Sequence, residues 1–199
     1  MANHTVIFDL GKVICPFEVL IPCRKLSEKC GIDPKQIKEL IFLVEPEAEF
    51  ETGRIGERQF TRDVNKLLNL NLTVDELRAI WSDMFELDRG MVGLVEEVRS
   101  DNQVMLLSNT SPWHFDWVEY HYAIRRHFDA CILSYEVGYM KPHEEIYKAA
   151  LAKAEHPNTA IFIDDLIVNV KAAQECGLTA IHFHSELQLR EELIDLGVL

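Results

Sequence analysis

The stretch Thr5-Val6-Ile7-Phe8-Asp9-Leu10-Gly11-Lys12-Val13-Ile14 is a short apolar run that ends in a carboxylate. Thr159-Ala160-Ile161-Phe162-Ile163-Asp164-Asp165 repeats the arrangement far along the chain. Each run stops in acid where a parallel strand would end. In a doubly wound sheet, ligands gather outside those carboxyl ends. Three carboxylates there suit a hard cation, and Mg2+ takes a few carboxylates together with waters and substrate phosphate.

Outward from these two runs, strands and helices alternate. Further strands are expected over 103–107, 130–133 and 179–183. Helices are expected over 91–99, from Pro112 behind a Ser111 cap, and over 144–153, 165–176 and 187–196. Alternation implies a parallel sheet with helices on both faces. One stretch breaks it. From Pro16 to Leu87 the pattern is helical only, with helices expected over 17–30, 35–43 and 57–68. Gly31 stops the first, Asp33-Pro34 opens the second, and Thr73-Val74-Asp75-Glu76 reads as a capping box for another helix. The predicted architecture is α/β: residues 1–15 and 88–199 form a doubly wound core, and residues 16–87 form an α-helical cap over its carboxyl edge.

Two further signals lie between the acidic strand ends. Met105-Leu106-Leu107-Ser108-Asn109-Thr110 is a strand ending in hydroxyls and an amide, and Gly138-Tyr139-Met140-Lys141-Pro142 puts a cation in a Pro-bounded loop. Acid, hydroxyl, cation and acid pair, in that order, make a phosphoryl-transfer set. On Phe8-Asp9-Leu10-Gly11, Leu107-Ser108-Asn109-Thr110, Met140-Lys141-Pro142 and Ile163-Asp164-Asp165 with Asn169, the chain resembles the haloacid dehalogenase superfamily. It is most similar to the bacterial sugar-phosphatase-like branch with Asp-Leu-Gly at the first motif. The resemblance spans nearly the whole chain and implies a helical insertion at this place. It also implies that the fourth strand lies beside the first, so that Asp9 faces Asp164-Asp165.

The roles expected from residues and resemblance together are these. Asp9 is the nucleophile, forming an aspartyl-phosphate that splits hydrolysis into two easier steps. Asp165 ligates Mg2+ directly, with Asp164 and Asn169 behind it and Asp9 in the same set; the resemblance adds the Gly11 carbonyl. Ser108 and Asn109 hold phosphoryl oxygens, and Lys141 pairs with Asp9 and offsets the charge of the transferring group. Arg54, in the polar turn Glu51-Thr52-Gly53-Arg54, is the candidate for holding substrate from the cap. Gly11 departs from the usual second Asp, which serves as general acid and base. Lys12, Glu18, His114 or a cap residue are the candidates to replace it. An anomeric or otherwise good leaving oxygen would need such help least.

Composition bounds the alternatives. At 199 residues with 48% hydrophobic content, the chain suits one core with a modest insertion. A net charge of −13 argues against a nucleic-acid partner. No apolar run has membrane-spanning length. Five cysteines without Cys-x-x-Cys, and no secretory signal, lead us to expect reduced thiols in the cytoplasm. A monomer or homodimer acting on a small phosphorylated metabolite is expected. The rivals are a Mg2+-independent haloacid dehalogenase and a weakly catalytic phosphate-binding regulator; the acidic pair counts against the first. The aromatic residues 113–122 read as part core and part dimer contact or pocket wall, and His182 and His184 as neighbours on one strand face.

Overall fold

The computed structural model describes residues 4–42 and 45–199. Its five strands are β1 (Thr5–Phe8), β2 (Gln103–Ser108), β3 (Ala130–Leu133), β4 (Ala160–Asp164) and β5 (Thr179–His182). They form one all-parallel sheet in the order β3-β2-β1-β4-β5. β1 is therefore central, and the two acid-ended strands are neighbours. Phe8 is level with Ile163, and the Asp9 amide donates to the Ile163 carbonyl at 2.9 Å.

Alternate side chains of each strand feed two apolar layers, as the pleat requires. Val6, Phe8, Leu106, Ile161 and Ile163 face one layer. It is completed by α6 (Arg89–Arg99), α7 (Pro112–Tyr122) and α11 (Glu186–Asp195). Ile7, Met105, Leu107 and Phe162 face the other, covered by α9 (Glu144–Leu151) and α10 (Ile167–Glu175). A short α8 (Ser134–Val137) follows β3 directly.

Between β1 and α6 lie α1 (Leu20–Cys30), α2 (Pro34–Phe42), α3 (Glu45–Glu51), α4 (Glu57–Leu68) and α5 (Val74–Ser82). Their inward residues, among them Leu26, Ile37, Phe50, Phe60, Val64, Leu77 and Trp81, form a third apolar cluster. Trp113 of α7 enters it from below, against Phe50 and Phe60. Chain entry and exit run side by side: Glu86 N–H donates to Pro16 O at 2.8 Å, and Glu18 N–H to Met84 O at 3.2 Å.

Local signals act as expected. Gly31 ends α1 with φ 74°. Thr73 and Glu76 form the capping box of α5, and the Ser111 hydroxyl caps α7 with Pro112 in its first turn. Three differences have physical causes. α1 starts three residues later than expected, because residues 16–18 are used in the entry strand pairing. α3 is a helix between the expected helices 35–43 and 57–68, where the sequence pattern assigns none; its acid-rich sequence hides the one large apolar anchor, Phe50. The expected end of the second helix at Leu43 lies outside the described residues. The cysteines are all free, and burial pushes the Cys15 thiol up to about 12.

Candidate active site

β1, β2 and β4 deliver Asp9, Ser108 and Asp164 to one edge, where a cavity of ≈ 380 Å³ opens. Lys141 stands at its base, nearly fully buried. Its ammonium donates to Asp9 Oδ1 at 2.7 Å, Asp164 Oδ2 at 2.7 Å and the Leu107 carbonyl at 3.0 Å. All three of its protons are thereby engaged. Burial opposes the Lys141 charge, but Asp9 and Asp164 outweigh it and hold the group above its ordinary range. Burial in turn pushes Asp9 up to about 7, against the pull of Lys141.

Asp164 is saturated. Besides Lys141 it accepts from the Leu166 amide at 2.8 Å and from Asn169 Nδ2 at 3.0 and 3.1 Å. Asn169 is itself fixed by Tyr147, whose hydroxyl donates to its carbonyl. Asp165 differs. It is half-buried, and among the described residues its one ion pair is with Lys12 Nζ at 3.9 Å; burial and Asp164 raise its pKa. His182 donates from Nε2 to the Asp165 carbonyl at 3.0 Å and fixes its backbone. Carboxylate oxygens of Asp9, Asp164 and Asp165 lie within 4.8 Å of one another.

Ser108 is buried at the β2 terminus and lines the cavity. The Asn109 side chain is spent elsewhere. Its Nδ2 donates to the Lys141 carbonyl at 2.9 Å and its Oδ1 accepts from the Lys141 amide at 2.7 Å. This two-point clasp holds the lysine loop against β2. The Asn109 side chain thus positions the cation, which leaves its backbone for the expected contact with phosphate.

Arg54 requires a correction. Its guanidinium turns back to Glu49 Oε1 at 2.9 Å, its side chain is 57% exposed, and it does not line the cavity. The helical turn decides this: Glu47 and Glu51, four residues apart on α3, share the face that looks into the cavity, whereas the polar turn beyond α3 points Arg54 outward. Glu47 was not singled out by sequence; the signal that would have found it is this same spacing with Phe50 on the core side.

A side chain at position 11 would have to displace the Phe17 ring. A Cβ on Gly11 would lie 2.9 Å from Phe17 Cε1, so the Phe17 ring fills the space where a second Asp would project. Of the candidate replacements, Glu18 lies outside the cavity and accepts from the Leu20 amide. His114 is buried and gives its Nε2 proton to the Trp81 carbonyl at 3.3 Å; burial lowers its pKa to about 4, so the ring is neutral. Lys12 is 55% exposed and leans over Phe17 toward Asp165.

Comparison with known proteins fits this geometry. The chain is 28% identical over 154 residues to D-ribitol-5-phosphate phosphatase of Bacteroides thetaiotaomicron, covering 73% of this chain and 74% of that protein. It is 26% identical over 152 residues to flavin mononucleotide hydrolase 1 of Arabidopsis thaliana, covering 75% of this chain and 61% of that one. Among solved structures, an Asp-to-Ala mutant of a Bacteroides thetaiotaomicron HAD family enzyme, in complex with magnesium and inorganic phosphate, superposes with a TM-score of 0.80 at 26% identity. That match covers 94% of this chain and 99% of the other. The model of the haloacid dehalogenase-like hydrolases matches residues 4–177, and with Asp9, Ser108, Lys141 and Asp164-Asp165 gathered at one sheet edge, the chain belongs to that family.

Proposed function

We propose that this protein is a Mg2+-dependent phosphatase that hydrolyses a small phosphorylated metabolite, such as a sugar or polyol phosphate, through an aspartyl-phosphate on Asp9. Residues 1–15 and 88–199 serve as the catalytic core and residues 16–87 as its cap. The observation that carries the reading is the buried Asp9–Lys141–Asp164 set with a third carboxylate, Asp165, left nearly free beside it.

The donors suit Mg2+, which prefers oxygen ligands. No hydrogen bond from the described residues reaches Asp9 Oδ2, and Asp165 has only its distant Lys12. Asp9 and Asp165 would hold the ion with the Gly11 carbonyl, and Asp164 would orient Lys141. When bound, Mg2+ would offset the negative charge of the phosphoryl group. Lys141 fixes Asp9 Oδ1, which leaves Oδ2 to attack phosphorus; Ser108 and the backbone around Asn109 bind the phosphoryl oxygens. The related enzyme crystallised with magnesium and phosphate, and the relative acting on D-ribitol 5-phosphate, support both the ion and the substrate class.

The test is a panel of phosphorylated metabolites assayed for phosphate release with Mg2+ and with EDTA, on the wild type and on Asp9→Asn. The expected result is Mg2+-dependent release that is abolished by Asp9→Asn in a folded protein, because the amide is isosteric but a very poor nucleophile. Metal-independent turnover with halide release from 2-haloacids would move the chain to the dehalogenases.

A further inference from the structure

We infer that Glu51, reaching from α3 into the roof of the cavity, is the general acid and base that position 11 does not supply. The inference rests on the phosphatase reading above and names the proton donor of that reaction. Four observations converge on it. Phe17 occupies the direction a side chain at position 11 would take. Glu18, His114 and Lys12 are respectively outside the cavity, committed to a carbonyl, and mostly in solvent. Glu51 and Glu47 both line the cavity that holds Asp9 and Lys141. Glu47 is 9% exposed, and among the described residues no hydrogen bond or ion pair reaches either carboxyl.

Two carboxyls one turn apart on the cavity wall, Glu47 buried and Glu51 half-buried, oppose each other's ionisation. Burial pushes Glu51 up to about 7, opposed by Lys141 and reinforced by Asp9; burial and Glu51 together hold Glu47 well above the ordinary range. The end of α3 is also fixed in place. Gly53 has φ 67°, and a Cβ there would lie 2.4 Å from the Tyr135 carbonyl, so the glycine lets the turn after α3 close directly on α8. Glu51 sits two residues before that contact.

The step balances as follows. Asp9 Oδ2 bonds to phosphorus while the bond from phosphorus to the leaving oxygen breaks. The Glu51 carboxylic acid gives its proton to that oxygen, which departs as a neutral hydroxyl. The Glu51 carboxylate then takes a proton from the water that attacks the aspartyl-phosphate. The bond from Asp9 to phosphorus breaks, inorganic phosphate leaves, and Glu51 is again an acid.

Two measurements test it. Across a series of phosphate esters, the wild-type chemical step should depend only weakly on leaving-group pKa; a steep dependence overturns the proposal. Glu51→Gln should slow a primary alkyl phosphate by about 10²–10³-fold, the usual worth of general acid catalysis. With p-nitrophenyl phosphate, whose leaving group needs no proton, the same variant should release a burst of p-nitrophenolate stoichiometric with enzyme, followed by slow turnover as phosphoenzyme accumulates. Equal losses on both esters without a burst would mark a structural role and overturn the proposal, as would no loss on either. Glu51→Asp, which keeps a carboxyl, should recover alkyl phosphate turnover relative to Glu51→Gln; failure to do so counts against the acid. A wild type that releases phosphate from no substrate would instead refute the phosphatase reading itself.

Discussion

Two adjacent aspartates at the end of β4 have opposite surroundings, and this separates their roles. Asp164 is one of two carboxylates that neutralise the buried Lys141, whereas Asp165 leans toward solvent with its oxygens nearly free. Removing one partner of a buried ion pair typically costs about 3–5 kcal/mol, because the other charge is left without compensation. Asp164→Ala should therefore lower the urea midpoint sharply. Asp165→Ala should leave the midpoint nearly unchanged and weaken Mg2+ binding measured by calorimetry. If the two variants behave alike, the division is wrong. His114 gives a pH signature of its own. Its folded-state pKa lies near 4 while the unfolded side chain titrates near 6.5, so only the unfolded chain binds the proton in between. Stability from this residue is complete above pH 6.5 and falls as pH drops toward 4. Between pH 7.5 and pH 5 the loss is about 2 kcal/mol at about 1.4 kcal/mol per pKa unit. Denaturation at the two pH values should show a loss about 2 kcal/mol larger in the wild type than in His114→Gln, because the carboxyls that burial raises contribute alike to both.

At the scale of elements, α7 joins the two parts of the molecule. Its Phe115 and Val118 pack on the sheet, while Trp113, two residues before Phe115 and so on the other side of the helix, enters the helical cluster and donates to Glu57 Oε2 at 2.8 Å. Trp113→Ala should cost roughly 3–5 kcal/mol, the range for a buried aromatic, read as a lower denaturation midpoint. If this helical cluster is loosened selectively, proteolysis between residues 16 and 87 should precede cleavage of the sheet and its flanking helices. The contrast between α7 and α3 also shows what sequence can and cannot tell. Ser111-Pro112 marks the start of α7 because capping is local chemistry between residues three apart. The strand ends at Asp9 and Asp164 were legible for the same reason, as were the caps at Gly31 and Thr73. The direction in which α3 points its acids was not legible. It depends on Phe50 stacking on Phe60 and on Gly53 reaching Tyr135, contacts with partners distant in sequence. The Asn109 clasp on Lys141 spans 32 residues and is invisible in the same way. Arg54 was misread because polarity marks a turn but does not say which of its side chains faces inward.

For the whole molecule, charge and cavity size together limit what can enter. The chain carries a net charge of −13, and the cavity of ≈ 380 Å³ lies at the small end of the usual range for ligand pockets. Its lining cations are Lys12 and Lys141. Lys141 has all three protons committed, and Lys12 already faces Asp165. Among the described lining residues, no cation remains to receive a second phosphate, and the roof presents Glu47 and Glu51 instead. Carboxyl groups accept or donate hydrogen bonds to hydroxyls, so the roof suits a polyol better than a polyanion. A sugar or polyol monophosphate should therefore be hydrolysed with a kcat/KM at least about tenfold above that of the corresponding bisphosphate, a difference of roughly 1.4 kcal/mol. Part of that gap arises from long-range repulsion and should narrow as salt is raised, because screening at 1 M ionic strength acts within about 3 Å. The remainder comes from desolvating a phosphate without a partner and should persist. Equal kcat/KM for the mono- and bisphosphate at low salt would mean that a cation outside the cavity lining reaches the second phosphate, and would remove the argument from charge.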